Sequence, residues 1–414
     1  MGAPSSRPRL ALNDPLPGKW LNMSLLAVAA LLAMSLWFSA SAVVPQLTIE
    51  WHLDAAGQSW LSMAVQLGFV LGALTSALTN LSDRLPVPTL FAVSAMVAAL
   101  ANALILATPG FPVVVGLRLL TGFALAGVYP PGMKLVASWS REDRGLLIGL
   151  LVGALTLGSA SPHLLGAFAS GGTDWKSVVA WTSVLAVLAA VVARLFVKPG
   201  PYLVPARRFH WRHAAEGLTV RSTRLANFGY LGHMWELYAM WTWAPLMLLA
   251  SYDAAGWSDS AARVAGFAVI GIGGIGSLAA GKLADRFGRT VVTGVSLFLS
   301  GACCLGIGLL FSSPLALTAA CLLWGFVVVA DSAQFSTAVS ELADPRYVGT
   351  ALTVQTCMGF LLTMGTIRLI PTLQGIAGWR WAFVILVIGP VFGLASMLRL
   401  RRLPEAVKMA SGAR

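Results

Sequence analysis

Apolar residues run through this chain in blocks of about 20, separated by short polar or turn-rich breaks. Read between those breaks, the first half divides at about 20–44, 58–80, 87–108, 111–134, 145–168 and 177–197. The second half divides at about 225–250, 262–283, 290–311, 314–338, 347–371 and 379–398. Each block is long enough to carry a helix across a bilayer core at about 1.5 Å per residue. The pattern predicts twelve membrane-spanning helices. The stretch from Trp20 to Val44 is too long for the apolar core of a cleavable signal and reads as the first span.

Composition sharpens this picture. Of 414 residues, 57% are hydrophobic and only 11% charged, against about 25% charged in a soluble globular chain. The net charge of +12 raises the question of a nucleic-acid partner, and its placement answers it. All but five of the 28 basic residues fall on one side of the predicted helices. They occupy the N-terminal tail (Arg7, Arg9, Lys19), alternate loops (Arg84, Lys134, Arg141, Arg144, Lys282, Arg286, Arg289, Arg346), the central linker and the C-terminal tail. Lys176, Arg263 and Arg380 lie in the opposite loops, and Arg118 and Arg368 within spans. Such asymmetry is a topology signal, so both termini are expected in the cytoplasm and the protein in the cytoplasmic (inner) membrane. No nucleic-acid partner is expected. The linker, 198–224, starts Lys-Pro-Gly-Pro and is basic, and its middle could form a short helix on the membrane surface. Cys303, Cys304, Cys321 and Cys357 lie inside apolar runs without metal-ligand spacing, so neither a disulfide framework nor a zinc site is expected.

The two halves echo each other. Asp83-Arg84 corresponds to Asp285-Arg286 at an offset of 202, Gly122 to Gly325 at 203, and Asp174-Trp175-Lys176 to Gly378-Trp379-Arg380 at 204. The expected units are 1–197 and 225–414, each of six helices, joined by 198–224. Duplicated halves place a solute site at their interface near the bilayer midplane. Gly281-Lys282-Leu283-Ala284-Asp285-Arg286-Phe287-Gly288-Arg289-Thr290 resembles the signature loop of the major facilitator superfamily, G-x-L-A-D-R-x-G-R-K/R, departing only at Thr290. The first-half copy keeps Leu81, Asp83 and Arg84, with Thr79 and Pro86 in place of the glycines. The resemblance implies an all-α membrane protein of two pseudo-symmetric six-helix bundles around a central cavity. It also implies that Asp83 and Asp285 brace the starts of the fifth and eleventh spans. Gly281, Arg84, Arg286, Gly288 and Arg289 would then belong to the same conformational gate. Arg118 to Gly122 resembles the R-x-x-x-G of the fourth helix in many members, and Gly149, Gly158, Pro162 and Gly166 resemble the glycine-proline helix of proton-linked antiporters.

An ionisable group near the bilayer centre costs about 2.5–3.5 kcal/mol on insertion scales, so each one needs a reason. Arg118 is too deep to snorkel and calls for an anionic partner, either a carboxylate or a solute. Glu236, with His233 one turn earlier, is a candidate proton carrier or a helix-joining pair. Asp331, with Gln334 three residues on, is a candidate counter-charge for Arg118, a proton carrier or a solute contact. Arg368 and His163 lie close to span ends, where snorkelling is an equal explanation. Trp37, Tyr238 and Trp241 either line a cavity or belong to packing and the interfacial belt, together with Trp235 and Trp243.

Gly271-Ile-Gly273-Gly274-Ile-Gly276 matches a dinucleotide-binding pattern, but it lies inside an apolar span and reads as helix packing, as does Gly149-x-x-x-Gly153. No ATP-binding loop and no nucleophile, base and metal constellation appears, so an enzyme is not expected, nor a cofactor or metal. The expected function is secondary transport of a small polar, anionic solute by alternating access, as a proton-coupled symporter acting as a monomer. Arg118, Trp37, Gln334, Tyr238 and Trp241 would contact solute, and Glu236, Asp331 and His233 would couple protons. The competing readings are efflux of amphipathic compounds and a non-transporting sensor on the same fold.

Overall fold

The computed structural model describes residues 16–108, 110–139, 144–168, 174–203, 211–344 and 347–413. Arg7, Arg9, Arg141, Arg207, Arg208 and Arg346 of the topology pattern lie outside them.

The first span is α1 (Lys19–Met34), which gives way to turns over residues 35–40 and resumes through a 3-10 turn into α2 (Val44–Trp51). The second is α3 (Ala55–Thr79), then the one-turn α4 (Leu81–Arg84), and the third is α5 (Val87–Leu104). The fourth is broken into α6 (Phe111–Leu125) and α7 (Tyr129–Trp139), the fifth is α8 (Arg144–Phe168) and the sixth α9 (Trp175–Leu195). The linker contributes α10 (Trp211–Thr219), held where Asn227 donates to the Gly217 carbonyl at 2.8 Å. The second half runs α11 (Arg221–Ala254), α12 (Asp259–Phe287), α13 (Arg289–Gly306), the pair α14 (Pro314–Ala330) and α15 (Ser332–Leu342), and α16 (Val348–Ala377). It finishes with α17 (Trp379–Ala382), α18 (Ile388–Arg401) and a 3-10 segment, Pro404–Gly412.

Among the described residues ten helical stretches are long and apolar enough to cross a membrane, with α6 and α7, α14 and α15, and α17 to α18 each taken as one stretch. The two other expected spans depart for identifiable reasons. The first is interrupted after Met34, leaving 16 uninterrupted residues, and α11, although 34 residues long, dilutes its apolar positions with Asn227, His233, Glu236 and Thr242.

Local chemistry explains the ends. Asp54 accepts from the Gly57 N–H at 2.7 Å to start α3, and Ser258 caps α12 through the Ala261 N–H. Gly288 ends α12 at φ 95°, a conformation that favours glycine.

The first six spans pack on one another, with α1 against α8 and α9, α3 on α6 and α5 on α9. The last six do likewise, with α11 against α16 and α18, α12 on α14 and α13 on α18. The two bundles meet along α8 with α12 and along α3 with α16. Small residues make the first seam possible. A Cβ on Gly153 would sit 3.3 Å from the Gly274 carbonyl oxygen, and one on Gly274 3.2 Å from that of Gly153. The repeat is visible in the packing too. A Cβ on Gly122 would lie 1.9 Å from the Val65 oxygen, and one on Gly325 1.8 Å from the Val269 oxygen. The result is an all-α membrane fold of two pseudo-symmetric bundles around a central cavity.

Candidate functional site: a central cavity with an aromatic floor

Between the bundles lies a cavity of about 870 Å³, within the range of small-molecule sites. Trp37, Phe69, Tyr129, Ile148 and Thr156 line it from the first half, and Tyr230, Tyr238, Trp241, Ser332 and Phe360 from the second. It extends toward the end that carries the linker, where Asp285, Arg289 and Glu341 form its rim and the Asp285 side chain is 59% exposed. The bundles are tied together below the cavity. Midway along their helices Thr363 of α16 donates to Gln66 of α3, and toward the opposite end Arg263 donates to the Ala42 carbonyl at 2.9 Å and Ser260 to the Ala167 carbonyl at 3.0 Å.

The aromatic residues form one connected cluster. Trp37 meets Phe69 edge-on at 5.1 Å between centroids, Phe360 at 5.4 Å and Tyr238 at 5.8 Å. Tyr238 in turn meets Phe360 at 5.0 Å and Trp241 at 5.4 Å. Four spans supply these rings, the first, second, seventh and eleventh. Such a surface offers flat, polarisable faces to a ring-bearing solute. Trp37, Tyr238 and Trp241 were expected as cavity candidates and do line it. Phe69 and Phe360 were not singled out, since a phenylalanine in an apolar run carries no signal of which way it faces.

Arg118 departs from expectation. It is fully buried on α6, does not line the cavity, and finds five neutral oxygens rather than a carboxylate. Its guanidinium donates to the carbonyls of Leu36 at 2.8 Å, Leu61 at 3.3 Å and Trp37, to Ser39 Oγ at 3.0 Å, and to Asn102 Oδ1 at 3.5 Å. Leu36, Trp37 and Ser39 are the unwound stretch that follows α1. Helix breaks leave backbone carbonyls without intrahelical donors, and a planar fork of five N–H groups suits that need. Asn102 completes the arrangement by accepting from Ser39 at 2.7 Å and donating to Ser183 at 2.9 Å.

Asp331 is therefore not the counter-charge of Arg118. It sits at the break between α14 and α15, with one carboxylate oxygen 2.9 Å from His233 Nδ1, both side chains buried. Glu236 does not pair with His233 either. It accepts from Ser300 at 2.5 Å and from the Cys304 thiol at 3.2 Å, and Ser300 accepts from Trp324 Nε1 at 3.1 Å. His233 and Glu236 thus share one helix but serve different neighbours. Both lie behind the cavity wall, while Met234 and Leu237 of the same helix face into it.

Gln334 also lies outside the cavity wall and accepts from Arg289 Nη1 at 2.8 Å. Arg289 is the hub of the rim. It donates twice to Glu341, through Nε and Nη2 at 2.7 Å each, and lies 3.6 Å from Asp285. The expected brace between Asp285 and the eleventh span is replaced, among the described residues, by this turn-to-turn pair with Arg289. Asp83 accepts from Lys134 of α7, a residue of the fourth span. Arg84 and Arg286 are exposed, Arg286 lying over the Phe287 ring at 5.2 Å, and Gly281 is buried within α12. Glu341 was missed because it stands 52 positions from its partner. Arg263, read as a loop residue, is buried on α12. Arg368 donates to Thr372 Oγ1 at 2.9 Å near its span end, and His163 is buried on α8.

Residues 25–366 match the sequence profile of the Major Facilitator Superfamily. Among curated proteins, the chain is 26% identical over 309 residues to a gallate transporter of Pseudomonas putida, covering 65% of this chain and 66% of that one. It is 26% identical over 172 residues to the niacin transporter NiaP of Acinetobacter baylyi, covering 41% of this chain and 39% of that one. The matched region therefore spans just under two thirds of the first relative and well under half of the second. Among solved structures, it resembles a bacterial homolog of the human lysosomal transporter Spinster in an inward-facing, unoccupied conformation. The TM-score is 0.68 at 14% identity, covering 93% of this chain and 97% of that one. With the profile matching most of its length and the fold agreeing, this multi-pass membrane protein belongs to the Major Facilitator Superfamily.

Proposed function

We propose that this protein is a secondary transporter that carries a small ring-bearing carboxylate across the cytoplasmic membrane by alternating access. The observation that carries the reading is the aromatic floor, built from both bundles at their junction inside a cavity of solute size. Gallate and niacin, named for the two relatives, are both compounds of one aromatic ring with a carboxyl group. The buried charge of Arg118 supports the anionic part. Its acceptors among the described residues are neutral oxygens, one of them the carbonyl of Trp37 itself, so its charge stands uncancelled there beside the residue whose indole lines the cavity.

The units that rock are 1–197 and 225–414, tethered by 198–224, with linker and both termini on the cytoplasmic side. The coupling ion is the proton, taken up by Glu236 or by the His233 and Asp331 pair. These groups are fully buried one helix face behind the cavity lining, where a change of charge alters the packing of α11, α13 and α14. Protein in liposomes with an internal pH-sensitive dye, challenged with a panel of aromatic and aliphatic carboxylates, tests the proposal. Aromatic acids that drive proton entry, with the proton signal abolished in Glu236→Gln or in Asp331→Asn, are the expected result. Solute flux unaffected by a pH gradient removes the coupling, and no flux of any carboxylate removes the substrate class.

A further inference from the structure

One turn beneath the aromatic floor lies a polar layer shared by both bundles. Helix α3 runs toward the linker end, whereas α11 and α16 run away from it. Gln66, Trp241 and Thr363 therefore each stand one helical turn farther from that end than the rings of Phe69, Tyr238 and Phe360. Thr363 donates to Gln66 Oε1, and the fully buried amide nitrogen of Gln66 has no partner. An amide turned the other way would leave its oxygen over instead, so one polar atom of Gln66 lacks a mate in either orientation. Trp241, 2% exposed on the cavity wall, likewise has no acceptor for its indole N–H among the described residues. Buried polar atoms are paired as a rule, and two exceptions in one layer call for a cause. A cation stands on the same side of the rings. Arg118 donates to the carbonyl of Trp37 and to that of Leu61, five residues before Gln66 on α3.

We propose that Gln66 and Trp241 form the carboxylate subsite of the solute, on the side of the aromatic floor away from the linker. The proposal rests on the reading of the solute as a carboxylate, but not on its having a ring. In this structure the rings of Trp37, Phe69 and Phe360 close over the layer, Trp37 meeting Phe69 at 5.1 Å and Phe360 at 5.4 Å, and Phe69 meeting Phe360 at 4.8 Å. Gln66 and Thr363 belong to different bundles, so opening the opposite end parts α3 from α16 and breaks their bond. The freed amide and the indole N–H are then two neutral donors, and a carboxylate has acceptor sites enough for both. The charge of Arg118 selects an anion over a neutral acceptor there, acting through a low-dielectric interior. A solute so held lies with its ring against the floor and its carboxylate pointing away from the linker.

The test compares each acid with its neutral amide by calorimetric titration of purified protein, using benzoate against benzamide and hexanoate against hexanamide. Gln66→Met removes the amide at similar length, and Thr363 keeps the Phe360 carbonyl it already reaches at 2.7 Å. Trp241→Phe keeps a ring and removes only the N–H donor. Each substitution is expected to weaken benzoate about tenfold and benzamide about threefold or less, because a hydrogen bond to a charged acceptor is the stronger one. A preference for acid over amide that stays at the wild-type value in either variant overturns the subsite, whether affinity falls evenly or not at all. Should Gln66→Met prove unstable, Trp241→Phe decides alone. A wild type that binds hexanoate and not benzoate removes the aromatic class only, and the same two variants are then read on hexanoate against hexanamide. A wild type that binds neither acid overturns the carboxylate reading and the subsite together.

Discussion

Arg118 holds Trp37 by its backbone, not by its ring. The guanidinium on α6 gathers the carbonyls of Leu36 and Trp37 and the hydroxyl of Ser39 from the unwound stretch after α1, and the indole of Trp37 is thereby presented to the cavity. A residue expected to clasp solute instead builds the element that faces it. Its charge, met only by neutral acceptors among the described residues, still acts through a low-dielectric interior.

That division of labour separates two substitutions. Arg118→Met deletes every donor at once and is expected to cost more than about 3 kcal/mol, because buried carbonyls are left unpaired. Arg118→Lys keeps the charge but not the planar fork, so it is expected to retain preference for anions with reduced stability. Thermal unfolding in detergent together with competition by neutral ring analogues checks both. Equal stability of the methionine variant and wild type would show that the carbonyls do not depend on Arg118.

The aromatic floor predicts selectivity by ring rather than by charge alone. Trp37→Ala and Phe360→Ala are each expected to weaken an aromatic carboxylate about tenfold while changing an aliphatic one far less, at roughly 0.5–1.5 kcal/mol per lost ring pair. Binding titrations on purified protein with matched aromatic and aliphatic acids measure this. A uniform loss for both classes would point to collapse of the cavity.

Glu236 and Asp331 are expected to behave differently. Glu236→Gln keeps one acceptor oxygen for Ser300 and turns an amide N–H toward the Cys304 sulfur, a weak acceptor, so the variant should fold and exchange solute while losing proton movement. Asp331→Asn removes the charge that faces His233 across 2.9 Å, and both stability and coupling should fall, since a buried group loses its charged partner. Counterflow compared with pH-driven uptake distinguishes the two. Full pH-driven uptake in both variants would place proton coupling elsewhere.

Three glycines make a control series for the packing. Gly122→Ala and Gly325→Ala would push a Cβ to within 2 Å of the facing backbone oxygens of Val65 and Val269, and each is expected to destabilise by about 1–3 kcal/mol or more. Gly116 lies on α6 with nothing near its absent Cβ, so Gly116→Ala should stabilise by about 0.5–1 kcal/mol through helix propensity. Melting temperatures of the three purified variants provide the comparison, and a destabilised Gly116→Ala would contradict the open space seen there.

The membrane class, the order of the spans and the internal repeat were all legible in the linear chain, because each depends on local properties. A bilayer demands that every backbone polar group be satisfied within its own helix, so apolar block length alone reports where helices run. Gly122 and Gly325 could be paired from their spacing, and Trp37, Tyr238 and Trp241 could be named as aromatic candidates. The two spans that depart from an unbroken apolar helix are the first, which breaks after Met34, and the seventh, which carries Asn227, His233 and Glu236.

Partnership was not legible. Which backbone carbonyls Arg118 would find, that Asp331 would face His233, that Glu236 would reach Ser300 and Cys304, and that Glu341 would join Arg289 to Ala410 all depend on residues 52 or more apart in sequence. Hydropathy says that a charge inside a membrane must be satisfied, but not by which neighbour, since the rotation of each helix about its axis is set by ridge, groove and glycine contacts with others. The chain alone thus settled what spans the bilayer and in what order, while packing in three dimensions chose the mates of every buried polar group and the faces that enclose the cavity.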